Sequence, residues 1–182
     1  MDRRATIKLV GGAAAALVAD PTGALAFQAT SKARIPMPGY ISDHPRARAL
    51  IRIGDEAIAK ENPAMLRAFF AEDFVFHGPN GDRDFDQLSS HFASLRAAFS
   101  DFRLGREQIL VDGDHTAART SFSGVFTGVF TQSPIGTLQP TGKHVRWEAM
   151  NIFRYDSGGR LAEEWVQTDY RSMLVKLGVP PA

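Results

Sequence analysis

Near its end the chain reads Leu161-Ala162-Glu163-Glu164-Trp165-Val166-Gln167-Thr168-Asp169, which sets acids around a tryptophan at a spacing of two. In an extended strand alternate residues share a face. Strict alternation from Leu161 puts Glu163, Trp165, Gln167 and Asp169 on one side, and Ala162, Glu164, Val166 and Thr168 on the other. A tryptophan is out of place on a solvent face, and two carboxylates are out of place in a dry core. A pocket wall accommodates both. A carboxylate whose pKa an apolar pocket raises toward neutrality can take a proton from carbon beside a carbonyl and return one to oxygen. Asp169 and Glu163 are the candidates. Asp169 serves equally well as the cap of a helix starting near Tyr170, because Asp is favoured there. Glu163 either pairs with Asp169 or orients it by hydrogen bonding within the wall. Trp165 is a packing surface for a planar ligand or a core aromatic.

His77 closes a short strand, Phe74 to His77, before Gly78-Pro79. A neutral imidazole there could polarise a carbonyl or orient the carboxylate, or simply hydrogen-bond at the loop edge. Phe92, Phe153 and Gln167 extend the expected binding wall. Glu148 and Asn151 lie on opposite faces of one strand, so one of them faces the pocket, and alternation alone does not choose. Lys143, Arg146 and Arg154 read as a solvated face. His44, His91, His115 and His144 lack metal-ligand spacing, so no metal is expected. Gly124 and Gly128 are not followed by Lys-Ser/Thr and do not make a phosphate loop.

These residues need a scaffold. Ala47 to Lys60 has its apolar residues at helical spacing, and Asn62-Pro63 starts a second short helix carrying Leu66, Phe69 and Phe70. A third helix runs from about Phe85 to Phe99. The period then changes to two: Phe102 to Val111, His115 to Phe126, Lys143 to Arg154 and Arg160 to Asp169 read as strands. Gly113-Asp114 and Ser157-Gly158-Gly159 fall between them as hairpin turns. Gly124 to Gly142 reads as two strand ends around a long loop, and Leu174 to Leu177 as a short closing helix. Helices followed by a meander predict an α+β domain. A curved antiparallel sheet wrapped around helices would form a cone, with one apolar pocket at its open end.

The chain has 182 residues, 44% hydrophobic and 23% charged, enough for one domain with a real core. A net charge of +1 argues against nucleic acid as a partner. There are no cysteines, which excludes disulfides and thiolate chemistry.

Met1 to Ala26 reads as a signal peptide. It has a basic start (Arg3, Arg4, Lys8), an uncharged run from Leu9 to Ala19, and a small-x-small site at Ala24-Leu25-Ala26. The paired arginines resemble a twin-arginine export motif, with Thr6 departing from it. The run is shorter than the roughly 20 apolar residues of a membrane span, so no stable membrane insertion is expected after its removal. Removal takes three basic and two acidic residues from totals of 21 and 20, leaving 18 of each. The expected organisation is a signal over 1–26, an irregular arm over 27–44 and the domain over 45–182, with the mature protein periplasmic or secreted.

Several stretches carry a family resemblance. Ala71-Glu72-Asp73-Phe74-Val75-Phe76-His77, Phe92 to Phe102, Pro140-Thr141-Gly142-Lys143, and Asn151 to Arg154 leading through Gly159 to Trp165 and on to Asp169 occur in family order. Together this set resembles the SnoaL-like polyketide cyclase and ester cyclase family, over roughly Ala47 to Val179. The resemblance implies the cone shared with ketosteroid isomerases, a general acid/base Asp at Asp169, a mouth-facing His at His77, and no cofactor. It points to a cyclase, isomerase or hydrolase acting on a hydrophobic carbonyl-bearing small molecule. An exported, non-catalytic binding protein for a hydrophobic ligand is the alternative. Val125, Phe126, Val129, Phe130, Trp147, Met150 and Phe153 exceed what one concave face needs, so a homodimer on the outer face is expected.

Overall fold

The computed structural model describes residues 39–180 and, before them, only the backbone of two short strands, β1 (Leu17–Ala19) and β2 (Leu25–Phe27). These pair antiparallel, Leu17 opposite Phe27, within a unit spanning residues 1–36. The rest of the expected signal peptide and most of the expected arm lie outside the described residues.

The second unit, residues 37–182, holds the domain. Helix α1 (Pro45–Arg52) starts with Pro45 at its first turn and runs directly into a π-helical turn, Ile53–Ile58. One continuous helix was expected here. The wider turn comes at Gly54, where a Cβ would stand only 2.7 Å from Leu104 Cδ2, so the backbone lies against the sheet. Helix α2 (Pro63–Phe69) is capped by Asn62, whose side chain accepts from the Met65 amide. Strand β3 (Phe70–Gly78) turns into β4 (Gly81–Arg83). Helix α3 (Phe85–Ala98) opens with a reciprocal capping box between Asp84 and Gln87, a device worth about 1 kcal/mol.

Then come β5 (Phe99–Asp112) and β6 (His115–Phe126), joined at Gly113, whose φ of +54° suits glycine. Strands β7 (Phe130–Ser133) and β8 (Gly136–Leu138) form their own small hairpin inside the segment expected to be a loop. Strands β9 (His144–Tyr155) and β10 (Leu161–Thr168) follow, and helix α4 (Tyr170–Lys176) closes the domain.

The main sheet runs β4-β3-β10-β9-β6-β5. Its pairs are antiparallel except β3 with β10, so the sheet is mixed rather than antiparallel throughout. A parallel neighbour needs a long connection, and everything from β4 to β9 supplies it. The fold is the expected α+β architecture of helices on a curved sheet. At the β5 edge, Ile109 donates to the Tyr40 carbonyl and Ser42 to the Ile109 carbonyl, so the end of the arm covers an otherwise open edge. The core lies between helices and sheet and is dominated by Leu50, Phe70, Phe99, Phe126, Phe130 and Phe153. Among the described residues no helix is long and apolar enough to cross a membrane.

Candidate active site

On β9 alternation is regular. Val145, Trp147, Ala149, Asn151 and Phe153 are buried, while His144, Arg146, Glu148, Met150 and Ile152 are exposed. Asn151 therefore faces the helices. Glu148 faces outward, where it accepts from Arg119 and Arg146. On β10 alternation breaks. The register with both neighbours shifts between Leu161 and Glu163, and Leu161 and Ala162 are both buried. A bulge adds one residue and exchanges the two faces of everything after it. The inward set is thus Glu164, Val166 and Thr168, all of which line the cavity between sheet and helices.

This corrects the expected site. Glu163, Trp165 and Gln167 stand on the outer face, away from the cavity. The structure brings His77, Glu163 and Trp165 together there: the His77 ring stacks on Trp165 at 5.2 Å, and His77 Nε2 is 3.8 Å from Glu163. His77 Nδ1 is 2.9 Å from Asp82, and Arg154 donates to Glu163. The Arg154 hydrogen bond is the main cause holding the Glu163 carboxyl below its usual pKa, opposite to what a proton-shuttling carboxyl needs. Asp169 is also away from the cavity. It caps α4, accepting from the Ser172 amide at 2.9 Å, so the capping alternative describes its contacts. Phe92 and Phe153 line the cavity. Of the apolar residues assigned to an outer interface, Phe126, Phe130, Trp147 and Phe153 are buried inside instead.

The cavity has room for about 110 Å³, and its wall is mostly aromatic and aliphatic, including Phe92, Phe122, Trp147 and Phe153. Across it runs a chain of side-chain hydrogen bonds from four adjacent strands. Arg106 on β5 donates to Thr120 on β6, and Thr120 donates to Asn151 Oδ1 on β9 at 2.6 Å. Asn151 Nδ2 then donates to Glu164 Oε1 on β10 at 2.7 Å. Each link donates to the next, so the groups orient one another. Among the described residues the other Glu164 oxygen accepts no hydrogen bond, and Glu164 lines the cavity. Burial pushes the Glu164 carboxyl up to about 7, against the opposing pull of Arg106 and the Asn151 hydrogen bond. Burial also brings the Arg106 guanidinium down to about 10. Tyr155 is pushed up to about 12 by the same cause.

Toward the rim the wall turns polar, with Asn80, Arg83, Gln132, Ser133 and Tyr170. His91 on α3 reaches the same space. Burial first, and the charge of Arg83 second, lower its pKa to about 4, so it is neutral at ordinary pH. Its Nδ1 is buried without a hydrogen-bond partner. Among the described residues no group of three His, Asp or Glu side chains is placed to hold a metal ion.

Strict alternation puts Glu164 opposite the expected pocket face, and Arg106 and Thr120 belong to no motif that marks them as site residues. A signal for Arg106 was present: alternation from Phe102 through Leu104 puts this cation in a row of buried apolar residues. For Glu164 the signal was three-dimensional, because the bulge that turns it inward has no marker residue in the strand.

A family model described as SnoaL-like polyketide cyclase matches residues 48–177. Solved structures share the fold. AclR from Streptomyces galilaeus superimposes with a TM-score of 0.63 at 23% identity, over 75% of this chain and 82% of that one. IdmH from Streptomyces antibioticus, described as a candidate polyketide cyclase, gives 0.63 at 25% identity, over 75% of this chain and 100% of its own. A protein of ketosteroid isomerase-like fold from Catenulispora acidiphila gives 0.57 at 17% identity, over 77% and 97%. No curated protein matches the chain.

Proposed function

The chain belongs to the SnoaL-like polyketide cyclase family, and we propose that it is a cofactor-independent enzyme in which Glu164 is the general acid/base. The substrate class is a hydrophobic small molecule with a carbonyl and an acidic C–H beside it. The observation that carries this reading is Glu164 itself: a buried carboxyl near neutrality, held by Asn151 at one oxygen and open to an apolar cavity at the other. A carboxyl with a pKa near the working pH is both a usable base and a usable acid. Its free oxygen takes the proton from carbon, the C–H electrons move into the carbonyl as an enolate, and the proton returns to oxygen or to another carbon. Cyclisation, isomerisation and related reactions all share that step.

The test needs no known substrate. Phenylacetone and 2-tetralone carry acidic C–H bonds beside a carbonyl and present apolar rings to the aromatic wall. In D₂O the protein should accelerate their H/D exchange, read by NMR. Glu164→Gln should remove that acceleration, a loss on the order of 10²–10⁴ for one positioned proton-transfer group. Cavity binding, reported by Trp147 fluorescence, with no accelerated exchange would end this reading and favour the non-catalytic carrier.

We also propose export to the periplasm or medium, motivated by Arg3-Arg4, the apolar run and Ala24-Leu25-Ala26. N-terminal sequencing of exported protein should give a start near Phe27. An intact Met1 on exclusively cytosolic protein would contradict it.

A further inference from the structure

We propose that the cavity selects apolar small molecules bearing an ionised carboxylate, and that the Arg106 guanidinium is the residue that reads it. The inference rests on the reading of this cavity as the site and narrows its substrate class.

Charge supplies the first argument. The cavity wall carries two guanidiniums, Arg83 toward the rim and Arg106 within, against a single carboxyl, Glu164. His91, being neutral, adds no charge to this count. A neutral ligand leaves the wall with one more cation than carboxyls, whereas a monoanion evens the count.

The second argument is the state of Arg106. Among the described residues it forms no ion pair. Its partners are the Thr120 hydroxyl and the face of Phe153, 5.3 Å from the guanidinium carbon. Its Nε is buried without an acceptor. Glu164, Tyr155 and Asp55 act on it only at a distance. A guanidinium has five N–H donors in a planar fork that matches a carboxylate's two oxygens, and Thr120 takes one of them. An enclosed cation without a contacting counter-ion is costly, and a ligand anion supplies the missing partner. Glu164 does not fill that role. It is separated from Arg106 by Thr120 and Asn151, and burial favours its neutral form.

The surroundings fit the rest of such a ligand. Phe153 backs the guanidinium, and Phe122 and Trp147 stack 5.4 Å apart in the same wall. An aromatic or alicyclic body against these rings leaves its acid group at Arg106. Atoms a few bonds from that group are then presented to Glu164, at the other end of the hydrogen-bonded chain.

Calorimetry with the full chain at neutral pH tests this, using trans-cinnamate and its neutral isostere trans-cinnamamide as probes. Cinnamate should bind about 10–100-fold more tightly, the worth of a hydrogen-bonded charged group. Arg106→Met, checked for folding by circular dichroism, should abolish the preference by weakening cinnamate and sparing the amide. Arg106→Lys keeps the charge but loses the fork, and should retain only part of it. Equal affinities in the unaltered protein, or a preference that survives Arg106→Met, would overturn the proposal. Its failure is separable from that of the enzyme reading: carboxylate preference without H/D exchange retires Glu164 as a base, and exchange without preference retires Arg106 as the reader.

Discussion

Glu163 and Glu164 are adjacent in sequence and opposite in chemistry. Glu163 points out of the sheet, where Arg154 and His77 stabilise its charge. Glu164 points in, where burial disfavours its charge more than Asn151 and Arg106 restore it. One face of the sheet thus holds carboxylates as fixed anions in ion pairs, including the Glu107, Arg146, Glu148 and Arg119 cluster. The other holds one carboxyl poised to change state. The residue type is the same. What differs is the number of water molecules and opposite charges each can reach.

The largest expected contrast is in proton transfer. Glu164→Gln should cost the 10²–10⁴-fold described above, whereas Glu163→Gln should leave H/D exchange unchanged, because its contacts are all outside the cavity. Equal losses in the two variants would break the distinction between the faces.

Stability against pH comes next. The Glu164 carboxyl has a folded pKa raised from 4.5 to about 7, so the folded state holds that proton more tightly. Its stabilisation is complete below about 4.5 and is lost as pH rises through 7. His91 has the opposite sign: its pKa falls from 6.5 to about 4, and its contribution is lost as pH falls through that window. Each swing is on the order of 3 kcal/mol at 1.36 kcal/mol per unit. Over the shared range the two oppose one another in the unaltered protein. Urea unfolding of Glu164→Gln should then show stability rising between about pH 4 and 6.5. In His91→Gln it should show stability falling between about 4.5 and 7. If both variants keep the parent profile, these groups are not buried as described.

The outer face also carries apolar surface. Ile152 and Met150 are 50% and 57% exposed beside Trp165, and Trp165 pairs directly across from Ile152. We propose that a second copy covers them, giving a homodimer. Ile152→Arg should weaken the dimer by about tenfold or more, the effect of losing one central apolar contact, as read by sedimentation. A parent protein that sediments as a monomer at micromolar concentration would contradict it.

The smallest effects belong to Asp169. Asp169→Ala should lower stability by about 1 kcal/mol, and Asp169→Asn should be nearly silent, since Asn caps as well as Asp. Thermal melts of the pair check this. A selective loss of exchange in Asp169→Asn would return the residue to the catalytic role that the family resemblance implies.

Much of the fold was legible because it depends on local patterns. The helices at Asn62-Pro63 and Phe85, the strands from Phe102 onward, and the turn at Gly113 follow from periodicity, caps and glycine placement. The hairpin Phe130–Leu138 was not legible. Its strands are short, and it is held partly by packing on α3, where the Gly128 amide bonds the Ala98 carbonyl at 2.9 Å. The presence of a pocket wall on β10 was readable, and so were Phe92 and Phe153 within it. Which face of β10 looked inward was not.

By itself the sequence determined an α+β domain with an apolar pocket and carboxylates on the strand beside it, because hydrophobic period and turn chemistry act between near neighbours. Only the tertiary structure decided which carboxyl the pocket contains. A bulge at Ala162 arises from the register that β10 adopts between β3 and β9, and one residue of slip exchanges Glu163 for Glu164. The raised pKa of Glu164 and the placement of Arg106 without a contacting counter-ion among the described residues arise in the same way, from four strands bringing together side chains far apart in the chain.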